Sequence, residues 1–155
     1  MGISSSIRRR GPVAGISILA ALVLAAPASM AAGPQLSLAD GWIRALTPNL
    51  PAAGYFTLTN AGDQPAVLVG ASSPACATLM LHESTSRGGM ERMAMVKTIP
   101  VPPHGKVTFR PGGYHLMCMS PSPAVTPGHR VQVTLRFKDG TSLPADFEVF
   151  GAKGR

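Results

Sequence analysis

The chain has 155 residues and a formal net charge of +7 at pH 7, with 45% hydrophobic but only 14% charged residues. This length fits one domain and leaves little room for a second, and the low charge content excludes a disordered acidic or basic tail protein. The 17 glycines and 15 prolines disfavour long helices and favour short strands joined by turns.

Residues 1–31 have the three parts of a secretory signal peptide. A basic region with three consecutive arginines at 8–10 precedes an uncharged apolar run over 11–26, and small residues follow. The apolar run is shorter than the roughly 18–20 residues that cross a bilayer comfortably, so a retained membrane anchor is the less favoured alternative. The candidate cleavage sites follow Ala28 and Ala31, and we place the boundary at the second.

Removal of this segment changes the electrostatics. Eleven basic and seven acidic side chains would be left, a net charge of +4 that is scattered along the chain. No run of basic residues alternates with aromatic ones, so we predict no nucleic-acid binding. No cysteine lies near the cleavage sites, which argues against a lipoprotein. We therefore predict a periplasmic protein that is not inserted in the membrane after cleavage and has one mature domain, residues 32–155.

The mature part alternates strand patterns with turn signals about every ten residues. Residues 91–99 could be a short helix by composition, but Gly88-Gly89 before them and the prolines after them favour a strand. Eight or nine short strands of this kind are typical of an all-β sandwich or a small barrel. The strand candidates are 35–45, 53–60, 65–73, 77–83, 91–99, 106–110, 114–120, 129–140 and 141–150.

The eight methionines are the unusual feature of the composition. Two belong to the initiator and the signal region, and the other six fall in one window of about forty residues together with two histidines. Methionine often fills gaps in a core, but such clustering beside histidine needs another explanation. The residues of this window are Met80, His82, Met90, Met93, Met95, His115, Met117 and Met119.

In two of the strands, alternation places the histidines and methionines on one face and the leucines between them on the other. His115, Met117 and Met119 fall on one face of their strand, and Met80 and His82 share a face of theirs. A core face needs no histidine, and a solvent face needs no methionine. Thioether and imidazole donors without a carboxylate are the ligand set that selects Cu(I). The pattern therefore predicts a copper site and not a zinc, calcium or magnesium site.

The spacing of four residues resembles a known signature, H-x10-M-x21-H-x-M, of the periplasmic copper chaperones called PCu(A)C. The resemblance extends over most of the mature chain, and it implies a cupredoxin-like Greek-key β-sandwich that binds one Cu(I) near its surface. It also implies delivery of copper to the binuclear copper site of cytochrome c oxidase subunit II, alone or with a thiol-bearing assembly partner. The implied ligands are His82, Met93, His115 and Met117.

The chain departs from the simplest form of this pattern through its additional methionines. We interpret Met90, Met95 and Met119 as surface or supporting residues, although they could hold a copper ion in transit or bind a second one. Met80 is interpreted as a packing residue.

The two cysteines, Cys76 and Cys118, are predicted to form a disulfide, because an even number of cysteines in an exported domain is typical of one. Cys118 alternates away from His115 and Met117, and a shared metal would bring the strand that follows Cys76 close to residues 114–120. A thiolate ligand to the metal is the alternative.

Three other classes of function stay open. A copper storage or resistance protein would use the same ligands and differ only in having no acceptor. A blue-copper electron carrier would need a cysteine thiolate beside two histidines and a weak axial methionine. An enzyme is disfavoured, because no Ser/His/Asp arrangement and no carboxylate pair lies near the histidines.

Overall fold

The structure is a computed structural model that describes residues 1–2, 33–48 and 50–155. The predicted signal peptide therefore lies almost wholly outside the described residues. From residue 33 onward, no described helix is long and apolar enough to cross a bilayer. The described chain forms β1 (Leu36–Arg44), β2 (Ala52–Asn60), β3 (Ala66–Ser72), β4 (Cys76–Arg87), β5 (Met90–Met95), β6 (Ile99–Val101), β7 (Gly105–Phe109), β8 (Tyr114–Pro121), β9 (Arg130–Phe137) and β10 (Ser142–Phe150).

The strands follow one hydrogen-bonded path in the order β5-β4-β8-β2-β1-β10-β9-β3-β6. β2 is the branch point of this path. Its residues 52–54 pair with β8, its residues 56–60 pair with β7, and β1 lies along its other edge. Among the described strands, β1 and β10 form a parallel pair and the other pairs are antiparallel. The predicted all-β sandwich is confirmed.

One hydrophobic core fills the space between the layers. Alternate residues of β9 point inward, so Val131, Val133 and Leu135 are buried. Aromatic rings add to this core, and Phe56 stacks on Phe109 with ring centroids 4.1 Å apart. Full burial of each large apolar side chain stabilises the fold by roughly 1.5–3 kcal/mol. The core holds β4 and β8 in place and leaves their outer faces free for polar and soft side chains.

The count of ten strands differs from the predicted eight or nine, because the segment 91–99 does not form a single strand. Its first part continues the hairpin with β4, whereas Ile99 turns into the core and begins β6, which pairs with β3. Pro100 lies within β6, opposite Val67. β6 ends the path of paired strands, and a sheet edge is where a proline without an N–H group is tolerated.

Candidate metal centre

A tight hairpin between β4 and β5 carries part of the site. Its two-residue turn, Gly88-Gly89, has φ of 60° and 79°; a type I′ hairpin turn requires positive φ at both residues, and glycine adopts it without strain. The turn fixes the register, so Met93 lies opposite Ser84 and Met95 lies opposite His82. Directly opposite residues project from the same face of an antiparallel pair. Both methionines therefore share the face of His82.

The pairing of β4 with β8 brings the two predicted histidine ligands together. His82 lies opposite His115, and Met80 lies opposite Met117. The imidazole ring centroids of the two histidines are 5.7 Å apart in a T-shaped arrangement. Met117 follows His115 by two residues and projects from the same face of β8. Three of the four predicted ligands thus meet where two adjacent strands run side by side.

The ring of His115 is oriented by its own backbone. His115 is only 3% exposed, and its Nδ1 lies 3.0 Å from the carbonyl oxygen of Gly113. A carbonyl oxygen only accepts hydrogen bonds, so Nδ1 carries the proton and donates it, which leaves the lone pair on Nε2 free. Metal-binding histidines commonly use this arrangement, because it fixes both tautomer and ring orientation.

The free ring nitrogens have no protein partner. Nε2 of His115 and Nδ1 of His82 are buried, and neither makes a hydrogen bond. An unsatisfied buried polar atom costs about 1–3 kcal/mol, and a metal ion bound between the rings would remove this cost. Burial, and then the proximity of His115, lower the pKa of His82. A lowered histidine pKa keeps the ring neutral, the metal-binding form, to more acidic pH than in a free histidine.

Met93 and Met117 reach the same region from the side open to solvent. Together with His115 they line an open cavity of about 420 Å³, which Arg44 and Tyr55 also line. The guanidinium carbon of Arg44 lies 5.9 Å from the ring centroid of Tyr55. Met93 is 55% exposed, so this edge of the site is open to an incoming ion or partner. His82 does not line this cavity and joins the group from the neighbouring strand.

The additional methionines divide between the two faces of the sheet. Met80 and Met119 are half-buried on the face of the histidines, and Met95, which is 60% exposed, lies there too. Met90 pairs with Arg87 and therefore projects from the opposite face. Met80 belongs neither to the core cluster nor to the side chains packed against it. Its register places it beside Met117 on the outer face, so the interpretation of Met80 as a packing residue stays a prediction.

Cys76 and Cys118 form a disulfide that links β4 to β8, with the two Cα atoms 5.4 Å apart. This bond confirms the predicted pairing. Cys118 is fully buried in the core, on the side of β8 away from His115. Because the disulfide holds both cysteines of the chain, a thiolate ligand to a metal is excluded.

The donor set limits which metal the described residues can hold. Within this part of the chain, no three His, Cys, Asp or Glu side chains are grouped so that they could hold a metal ion. The further side-chain donors that the pairing of the strands places on the face of the two histidines include methionine sulfurs. Imidazole with thioether is a combination suited to Cu(I).

Sequence reasoning missed two residues around His115. The Gly113 carbonyl orients the imidazole, and the Tyr55 ring packs with its centroid 6.5 Å from that of His115. A backbone carbonyl leaves no signal in a side-chain pattern. Tyr55 lies sixty residues away along the chain and approaches only through the pairing of β2 with β8.

The chain is similar to proteins described as putative lipoproteins. Residues 36–149 match the family model described as "LpqE-like: Putative lipoprotein LpqE-like". A protein of Leifsonia xyli subsp. xyli (strain CTCB07), "Putative lipoprotein Lxx21020", is 35% identical over 119 residues, which are 76% of this chain and 70% of that protein.

Solved structures with the same architecture include copper-bound proteins. The solution structure of CuI-DR1885 from Deinococcus radiodurans is 35% identical, with a TM-score of 0.59 over 73% of this chain and 76% of that chain. The copper-bound PCuAC domain from PmoF2 is 24% identical, with a TM-score of 0.62 over 75% of this chain and 92% of that domain. The second likeness shows the fold alone. The predicted cupredoxin-like β-fold is confirmed.

Proposed function

The chain belongs to the LpqE-like family, and from this premise we propose that it is a copper chaperone without enzymatic activity. One observation carries the proposal: two facing imidazoles each present a buried, unpartnered nitrogen on the sheet face that also presents methionine sulfur. The Cu(I) form of the similar protein DR1885 supports it. The proposed ligands of a single Cu(I) are His82, Met93, His115 and Met117.

The arrangement suits an ion that is held and then released. All four donors are neutral, so the bound ion keeps its single positive charge, and thioethers bind without losing a proton. His115 holds the buried end of the site, whereas Met93 lies at the solvent edge. We therefore expect an acceptor to displace Met93 first and the buried imidazole last.

We propose the binuclear copper site of cytochrome c oxidase subunit II as the acceptor, reached directly or through a thiol-bearing assembly partner. The spacing of the four ligands, which resembles that of the PCu(A)C chaperones, supports this choice. Export to the periplasm through residues 1–31 is part of the proposal, and the relatives named as lipoproteins support export.

Transfer of copper tests the proposal. Two equivalents of the Cu(I)-loaded protein are mixed anaerobically with the apo copper domain of an oxidase subunit II, and one electron is then removed with a mild oxidant. We expect the absorption of the binuclear site to appear in the acceptor. Copper that stays with the protein, with no such absorption, would contradict delivery.

That negative outcome would instead favour a copper storage or resistance protein, which uses the same ligands. A blue-copper electron carrier is disfavoured on separate grounds. It needs a cysteine thiolate, and the disulfide between Cys76 and Cys118 leaves none.

A Met117→Leu variant should bind Cu(I) about tenfold more weakly, a loss of roughly 1.4 kcal/mol. Leucine keeps the apolar volume, so the change in unfolding free energy should stay below about 1.5 kcal/mol. Competition with a Cu(I) chelator measures the affinity. Met90→Leu is the matched control, because Met90 projects from the other face. Unchanged affinity of Met117→Leu would remove this residue from the site.

A further inference from the structure

Three methionines, which we call the triangle, occupy neighbouring positions on the sheet face that carries the histidine pair. Met80 lies opposite Met117, and Met119 lies opposite Thr78, two residues before Met80. Directly opposite Cβ atoms lie about 4.5–5.5 Å apart and diagonal ones about 7–8 Å, within reach of long side chains. Met117 and Met119 are two residues apart on one face of β8. Three flexible thioethers can therefore converge on one point.

Core packing does not explain this triangle. The same two strands fill their inner faces with leucine: Leu79 and Leu81 on β4 and Leu116 on β8 are all buried. The methionines occupy only the outer face, where they are half-buried and contribute nothing to the core cluster. Their chemistry is soft, neutral and free of exchangeable protons, which suits Cu(I) but not a harder ion.

We propose that Met80, Met117 and Met119 form a second, thioether-only Cu(I) site that shares Met117 with the histidine site. The shared sulfur makes the two sites successive positions for one ion. As the ion moves, its bonds to the two imidazole nitrogens and to the sulfur of Met93 break, bonds to the sulfurs of Met80 and Met119 form, and the bond to Met117 persists. Copper stays Cu(I) and no proton is released, so the step needs no redox partner.

The second site adds a step to the proposed function. It rests on that function in one respect only, which is that Met117 is also a ligand in the histidine site. It would give the ion a position without imidazole ligands. From that position exchange with an acceptor begins at three half-buried thioethers, whereas from the histidine site it begins with displacement of Met93.

A variant without imidazole donors isolates the thioether site. In His82→Leu/His115→Leu both rings are replaced by apolar side chains, and circular dichroism checks that the fold persists. We expect this variant still to bind one Cu(I) in an anaerobic chelator competition. Loss of all Cu(I) binding by the folded variant would overturn the second site.

Two further pairs of substitutions in that variant give a matched comparison. Met80→Leu/Met119→Leu should lower the remaining Cu(I) affinity about tenfold or more. Met90→Leu/Met95→Leu removes the same number of thioethers but leaves the triangle intact, and it should change the affinity less than about twofold. Equal losses from the two pairs would mean that any methionines suffice, and would overturn the assignment.

A measurement on the wild-type protein does not depend on the variants. With 13C-labelled methionine methyl groups, the signals of Met80 and Met119 should shift as Cu(I) is added, whereas that of Met90 should not. If the Met80 and Met119 signals stay in place up to saturation, the second site is wrong while the histidine site can still bind and deliver. Shifted signals without transfer to the oxidase domain would count against delivery alone.

Discussion

A His115→Leu variant should bind Cu(I) at least about 100-fold more weakly than the wild type, a loss of roughly 3 kcal/mol. The effect should exceed that of Met117→Leu, because Nε2 of His115 is buried, unpartnered and held in its binding tautomer by the Gly113 carbonyl. Leucine is apolar and fits a site that is 3% exposed. Anaerobic competition with a Cu(I) chelator measures the affinity, and circular dichroism verifies the fold.

The control for this variant is His104→Leu. His104 is exposed on the turn before β7, where its Nε2 lies 2.8 Å from Oδ1 of Asp63, away from the paired histidines. Its replacement removes an imidazole without touching the site, so Cu(I) affinity should not change. Wild-type affinity in the His115→Leu variant would show that the facing imidazoles are not a copper site.

The sequence predicts the faces of individual strands well, because alternation is a local property. His115 and Met117 fall on one face of β8, and Cys118 points into the core, as the period of two requires. The position of one strand beside another is not local. That His82 lies opposite His115, and Met80 opposite Met117, depends on how β4 pairs with β8, and alternation within each strand does not determine this register.

The same limit applies to Met80. Within its own strand Met80 is one apolar residue among several, and packing is the usual role of methionine. Its neighbour across the sheet is Met117, thirty-seven residues away, and the pattern of its own strand does not indicate this neighbour. Likewise the local pattern predicts a single strand over residues 91–99, but β5 pairs with β4 while β6 pairs with β3. Pairing with two different neighbours breaks this segment into two strands, and the local pattern does not indicate the break.

A Cys76→Ala/Cys118→Ala variant should lose about 4 kcal/mol of unfolding free energy, because the disulfide closes a loop of 42 residues. For a domain of this size the melting temperature should fall by roughly 12–20 °C. Thermal unfolding followed by circular dichroism measures the change. Counting of free thiols in the denatured, unreduced wild type should find none, and two reactive thiols would contradict the disulfide.

Treatment with a reductant distinguishes the effect of losing the disulfide from the effect of the two alanine substitutions. It should lower the melting temperature of the wild type toward that of the double variant and leave the variant unchanged. The double alanine variant, where it is folded, should still bind Cu(I), because Cys118 lies on the core side of β8 and neither sulfur faces the histidines. The disulfide then acts on stability alone: it ties β4 to β8 on the inner side of the sheet, while His82 and His115 meet on the outer side. A loss of Cu(I) affinity matching that of His115→Leu would show instead that the crosslink sets the spacing of the two rings.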